Sequence, residues 1–201
     1  MKKSILSFMI LCASVVHANH PNFDCSKVIE ETKAYSFEKK LTLQGIDFHV
    51  TTTGKGSLRQ LTITPSGLER DNTVITHEID GVVTNVEVAD LNADGSPEIY
   101  VYITSAGSGS YGSLVAYSTN NKKSLSEIYL APLEEDKTNS VGYMGHDKFT
   151  IIENSFARRF PIYKKEDSNA KPTGGTRQLE YKLKMGEASW QLKLIKSTEV
   201  K

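Results

Sequence analysis

Cysteine is almost absent: the chain has two among 201 residues, and one of them, Cys12, lies in an apolar N-terminal stretch. That leaves Cys25 without an intrachain disulfide partner, so a packed core has to hold the fold. Charge of either sign is not in excess, with 24 bases against 24 acids. A nucleic-acid binder needs a basic surface, and none is offered. No apolar run reaches the length of a membrane span. The hydrolytic signatures are missing too. No serine satisfies G-x-S-x-G, since Ser108 has Ala106 where the first glycine belongs, and His20, His49, His77 and His146 are scattered with no H-E-x-x-H among them. An exported hydrolase remains only as a carboxylate pair whose separation a sequence does not give.

What is present begins with "MKKSILSFMILCASVVHA", which has two lysines, an apolar run from Ile5 to Val16 and a small residue at Ala18. This is the layout of a secretory signal peptide over residues 1–18, with Val16 and Ala18 at the −3 and −1 positions. Leu11 before Cys12 argues against a lipoprotein. The expected mature domain is 19–201, or 183 residues, and losing Lys2 and Lys3 leaves 22 bases against 24 acids. The expected location is the periplasm, with no membrane association after signal removal. Cys25 is then a free thiol or a link between two chains.

Most of the remaining chain alternates with period two. "KLTLQGIDFHVTTT" predicts two strands around Gln44-Gly45, and "LRQLTIT" predicts a third that stops at Pro65. "NTVITHEI" and "VVTNVEV" flank Asp80-Gly81, which predicts a tight hairpin. "EIYVYIT", "SLVAYST" and "EIYL" follow, then hairpins turning near Glu153-Asn154 and at Met185-Gly186. Strands at 8–12-residue spacing predict a single all-β domain, a mainly antiparallel sheet or β-sandwich. One short N-terminal helix is expected in "SKVIEETKAY" from Ser26. Lys164–Gly175 reads as a long exposed loop.

Two stretches between strands carry candidate chemistry. "TSAGSGSYGSL" contains G-x-G-x-x-G at Gly107, Gly109 and Gly112. A dinucleotide fingerprint needs a helix after the last glycine, and the β-forming "SLVAYS" follows instead. "DLNADGSPE" sets Asp90, Asn92, Asp94 and Glu98 at alternate or near-alternate positions around Gly95, like the start of an EF-hand loop without its twelfth-position Glu. The favoured reading is an Asx-rich turn and no cofactor. The alternative is calcium, in a calcium- or carbohydrate-binding β-module.

The segment "DLNADGSPEIYVYITSAGSGSYGSLVAYS" resembles the central part of the periplasmic inhibitors of invertebrate-type (I-type) lysozyme. The family's S-G-x-Y pattern reads here Ser108-Gly109-Ser110-Tyr111. "GYMGHDKF", "RRFPIY" and "PTGGTRQLEYKL" add to the likeness, which runs from about Gly81 to Leu194. The resemblance implies a β-rich homodimer, not an enzyme, whose S-G-x-Y loop enters the active-site cleft of an I-type lysozyme. A slim loop rich in hydroxyls suits a sugar cleft floored by carboxylates. Gly107, Gly109 and Gly112 would keep the loop slim and let it turn with φ > 0.

Overall fold

The computed structural model describes residues 36–200. The expected signal peptide, Cys25 and the helix expected from Ser26 lie outside the described residues. Among the described residues the protein is all-β, and no helix is long and apolar enough to cross a membrane. Four strands, β1 (Phe37–Leu43), β2 (Ile46–Thr53), β3 (Leu58–Ser66) and β4 (Ile75–Asp80), form an antiparallel meander. Eight more form a second sheet: β5 (Val82–Ala89), β6 (Glu98–Thr104), β7 (Gly112–Ser118), β8 (Ser126–Leu130), β9 (Lys148–Ile152), β10 (Ser155–Pro161), β11 (Thr176–Met185) and β12 (Trp190–Val200). Their order is β5-β6-β7-β8-β12-β11-β10-β9. Every pairing is antiparallel except a short parallel one, where Trp190–Leu192 of β12 lie beside Ile128–Leu130 of β8.

The period-two pattern decides which side chains meet. Ile99, Val101 and Ile103 of β6 point into a core shared with the four-stranded sheet, beside Phe48, Val50, Leu61 and Ile63. Tyr100 and Tyr102, on the other face of the same strand, enter a second core with Phe156, Phe160, Leu179 and Tyr181. All of Glu98–Ile103 is therefore buried. Each fully buried side chain of this size contributes about 1.5–3 kcal/mol, so β6 draws stability from both sides.

Two turns differ from expectation. Asp80-Gly81 reverses the chain, but it does not join a hairpin: β4 pairs with β3, and β5 with β6, so the turn carries the chain from one sheet to the other. Gly81 has φ +136°, and a Cβ there would lie 2.2 Å from the Thr104 carbonyl oxygen. The dipeptide marked a sharp turn, while strand partnership was set by the two cores. Nor does β3 end at Pro65. It runs to Ser66, with Pro65 opposite Phe48 and past the last β4 pair at Ile63. With no β4 partner there, the missing N–H of proline is tolerated. The hairpins around Gln44-Gly45, Glu153-Asn154 and Met185-Gly186 form as expected.

The two edges of the eight-stranded sheet approach each other, so the sheet nearly closes into a barrel. Glu87 of edge strand β5 bridges the gap. Its Oε2 accepts a hydrogen bond from the backbone N–H of Ile151 in edge strand β9 at 3.0 Å, and another from the Tyr102 hydroxyl. Glu87→Ala is expected to leave both donors unpaired and to lower stability by about 1–3 kcal/mol. Adding Tyr102→Phe should recover part of that loss. Urea unfolding of the single and double variants measures it.

Candidate functional site

Ser105–Tyr111 joins β6 to β7, so the strand with the deepest burial carries the loop. Inside the loop, Ser110 N–H donates to the Gly107 carbonyl at 2.9 Å, closing a tight turn. Ser105 N–H donates to the Tyr111 carbonyl at 2.9 Å, and Tyr111 N–H donates to Ser105 Oγ at 2.9 Å. The glycines act differently from expectation. The left-handed residue is Ser110, with φ +45°, and Gly107, Gly109 and Gly112 are not in that region. Space is the constraint at two of them. A Cβ on Gly109 would lie 2.4 Å from the Tyr111 ring, and one on Gly112 would lie 2.5 Å from Asp147 Cβ.

Two other segments hold the loop from outside. His146 N–H donates to the Gly109 carbonyl at 2.7 Å. Asn169 Nδ2 donates to the Ser108 carbonyl at 2.8 Å. Asn169 Oδ1 in turn pairs with His146 Nε2 at 3.1 Å, and the Asn169 carbonyl accepts from the Tyr163 hydroxyl at 2.9 Å. The Lys164–Gly175 loop, expected to be merely exposed, thus reaches back to brace Ser108. Gly145 lets the 142–147 segment come this close, since a Cβ on it would sit 2.0 Å from the Gly109 oxygen.

Beneath the loop lies a buried ion pair. Arg158 Nε donates to Asp147 Oδ1 at 2.7 Å, and the two side chains are 6% and 0% exposed. Asp147 Oδ2 accepts from the Tyr143 hydroxyl at 2.6 Å and from Gly112 N–H at 2.7 Å. Arg158 also donates to the Tyr143 hydroxyl at 2.7 Å and covers its ring at 5.0 Å. Burial opposes the Arg158 charge, but Asp147 outweighs it and raises the pKa above its ordinary value. Burial and the bond to Asp147 push the Tyr143 phenol upward as well. Tyr143 then meets Tyr111 edge-on, at 5.6 Å and 82°.

Two of the loop's outward groups are Ser108 and Tyr111. Tyr111 is 46% exposed although its backbone is fixed. Ser108 is exposed, and among the described residues its hydroxyl has no hydrogen-bond partner. Met144 and Val141 stand exposed on the neighbouring segment. Lys148 and Arg159, both exposed, occupy directly paired positions on β9 and β10. The sequence drew attention to Ser108–Tyr111. His146, Asp147 and Arg158, which help position the loop, lie in the stretches "GYMGHDKF" and "RRFPIY" that add to the likeness, but neither they nor Asn169 stood out by their chemistry. The available signal was the pair of glycines at 142 and 145 beside an acid, both with φ > 0.

The Asp90–Glu98 stretch folds as a turn at the opposite end of β6. Asp90 Oδ1 and Oδ2 accept from Asp94 N–H (3.0 Å) and Gly95 N–H (2.9 Å), and Asp94 Oδ1 accepts from Ser96 N–H (2.8 Å). Asn92 Nδ2 donates to Asp94 Oδ2 at 2.8 Å. Glu98 is wholly buried, and its pKa is pushed up to about 8, first by burial and then by the charges of Asp90 and Asp94.

A family model described as periplasmic lysozyme inhibitor of I-type lysozyme matches residues 69–151. This is the family that the sequence resembles. The match takes in the Ser108–Tyr111 loop and the 142–147 segment that braces it. It starts earlier than the resemblance read from the sequence and ends before "RRFPIY". No curated protein and no solved structure matches the chain.

The buried pair gives a stability expectation. Arg158→Met leaves Asp147 charged in a closed site, and should cost about 3–5 kcal/mol. Guanidinium unfolding at neutral pH measures it, and the midpoint should fall without a change in slope.

Proposed function

We propose that the protein is an exported, periplasmic inhibitor of I-type lysozyme, and that it works by seating Ser108–Tyr111 in the enzyme's active-site cleft. The family match supports the inhibitor class and the partner. The observation that carries the mechanism is the contrast within the loop. The carbonyls of Gly107, Ser108, Gly109 and Tyr111 and the N–H groups of Ser110, Tyr111 and Gly112 are all bonded within the protein, while the Ser108 hydroxyl and the Tyr111 ring face outward. A loop fixed in this way loses little entropy on binding.

The chemistry of the two outward groups suits the partner. The Ser108 hydroxyl donates to a carboxylate on the cleft floor, and hydrogen bonds to charged acceptors contribute about 1.5–3 kcal/mol. Tyr111 fills the space of a sugar ring with an aromatic anchor. Lys148 lies two residues from the His146 brace and Arg159 is its cross-strand partner, so both add positive charge to this part of the surface. That favours approach to an acidic cleft.

Inhibition constants against I-type, chicken and goose lysozymes, measured beside melting temperatures, test this reading. The protein should be selective for the I-type enzyme. Tyr111→Ala should weaken binding by about 2–4 kcal/mol and Ser108→Ala by about 1.5–3 kcal/mol, both with the fold intact. Parent-like inhibition by both variants would move the contact elsewhere on the surface. Gly145→Ala touches no lysozyme atom in this reading, but it forces the loop from its seat, so it should also weaken inhibition. Light scattering should give a homodimer, the state that the resemblance implies.

A further inference from the structure

The hydrogen bonds of the Asp90–Ser96 turn explain why Asp90, Asn92 and Asp94 are there: their side chains cap backbone amides of their own loop. They do not explain Glu98. That residue lies beyond the turn, at the first position of β6, and is completely buried. Its carboxylate points back at the turn, with one oxygen each from Asp90, Asp94 and Glu98 within 4.8 Å of one another. Among the described residues no lysine, arginine or histidine forms an ion pair with any of the three. Glu98 Oε2 accepts from Leu91 N–H at 2.8 Å and from the Tyr100 hydroxyl at 3.4 Å. Glu98 Oε1 is buried with no partner, and so is the hydroxyl of Ser118, directly across the β6–β7 ladder.

Three acids converging without a counter-charge, one of them carrying an orphaned buried oxygen, is an unfavourable arrangement unless a cation completes it. We propose that Asp90, Asn92, Asp94 and Glu98 bind a calcium ion. The donor set is all oxygen, which selects a hard cation. Oxygens that all lie within 4.8 Å of one another are close enough to share one ion, and carboxylate and amide oxygens are the ligands calcium takes at about 2.3–2.6 Å. The ligands come from a turn and from the start of a fixed strand, and calcium tolerates such irregular geometry. Glu98 and the Ser105–Tyr111 loop lie at opposite ends of the seven-residue β6, roughly 20 Å apart. The ion therefore clamps the base of the β6–β7 hairpin and stays clear of the outward loop.

The test uses the full mature chain, stripped with chelator and titrated with calcium chloride or magnesium chloride. Calcium at about a hundred times its dissociation constant should raise the melting temperature by roughly 5–10 °C, and magnesium should do much less. Terbium should bind at the same site and luminesce through Tyr100. Asp94→Asn, at an exposed position, should fold normally and weaken calcium binding at least about tenfold. Glu98→Gln should melt higher than the parent without metal, because it removes a buried acid, and should lose the calcium response. If calcium shifts neither the melting temperature nor the terbium signal, Glu98 is simply a buried neutral acid and the proposal is wrong. An unchanged response in Asp94→Asn would place the ion elsewhere and overturn it equally. An equal response to magnesium would overturn the choice of calcium. None of these outcomes depends on lysozyme inhibition.

Discussion

A strand buried on both faces cannot shift by one residue without driving its side chains into the wrong core. That constraint on β6 organises the protein. Ile99, Val101 and Ile103 fit only the core against the four-stranded sheet, and Tyr100 and Tyr102 fit only the barrel-like core. Register is strongly specified wherever a face is buried, and here both faces specify it. The two ends of β6 are fixed as a consequence. One end delivers Glu98 to the acidic turn, and the other delivers the Ser105–Tyr111 loop to the surface.

A fixed strand end does not by itself fix a seven-residue loop. The remaining freedom is removed from outside, by Asp147, His146 and Asn169. Asp147 is the most connected of these, since it takes Gly112 N–H, the Tyr143 hydroxyl and Arg158 Nε at once. A carboxylate with no exposed surface is costly unless its charge is paired and its oxygens are hydrogen-bonded, and both conditions are met. The pair does not make the fold cheap to form, because well-packed apolar residues could fill the same volume. What it does is bind β7, the 142–147 segment and β10 into one geometry, and Tyr111 stands on that geometry through Tyr143. Stability is exchanged for the position of one ring.

The strands were legible because each has a polar or glycine-rich boundary and a two-residue period, and the Ser108–Tyr111 loop was legible because it interrupts two strong strands. Partnership between strands was not. Asp80-Gly81 signals a turn from local chemistry alone, and local chemistry does not say whether the next strand pairs with the previous one or crosses to another sheet. The supports of the loop were hidden for a related reason. Asp147 is 35 residues from the Gly112 amide it accepts from, and Asn169 is 61 residues from Ser108, so no short pattern in the chain connects them. The role of the glycines was legible as a requirement for smallness and misread as a requirement for φ > 0. The conformation falls instead on Ser110.

That last difference bears on which positions of the loop are free to vary. A glycine needed for its φ is replaceable by asparagine at modest cost. A glycine needed for space is not replaceable by anything, because every other residue has a Cβ. Gly109 and Gly112 are of the second kind, pressed against Tyr111 and Asp147. Ser110 tolerates glycine or asparagine on backbone grounds, since its strain lies in φ. So within Ser108-Gly109-Ser110-Tyr111 the structure ties the second position to its neighbours and leaves the third open. Of the S-G-x-Y pattern, this geometry accounts for two positions: a residue with no side chain at the second and a variable turn residue at the third.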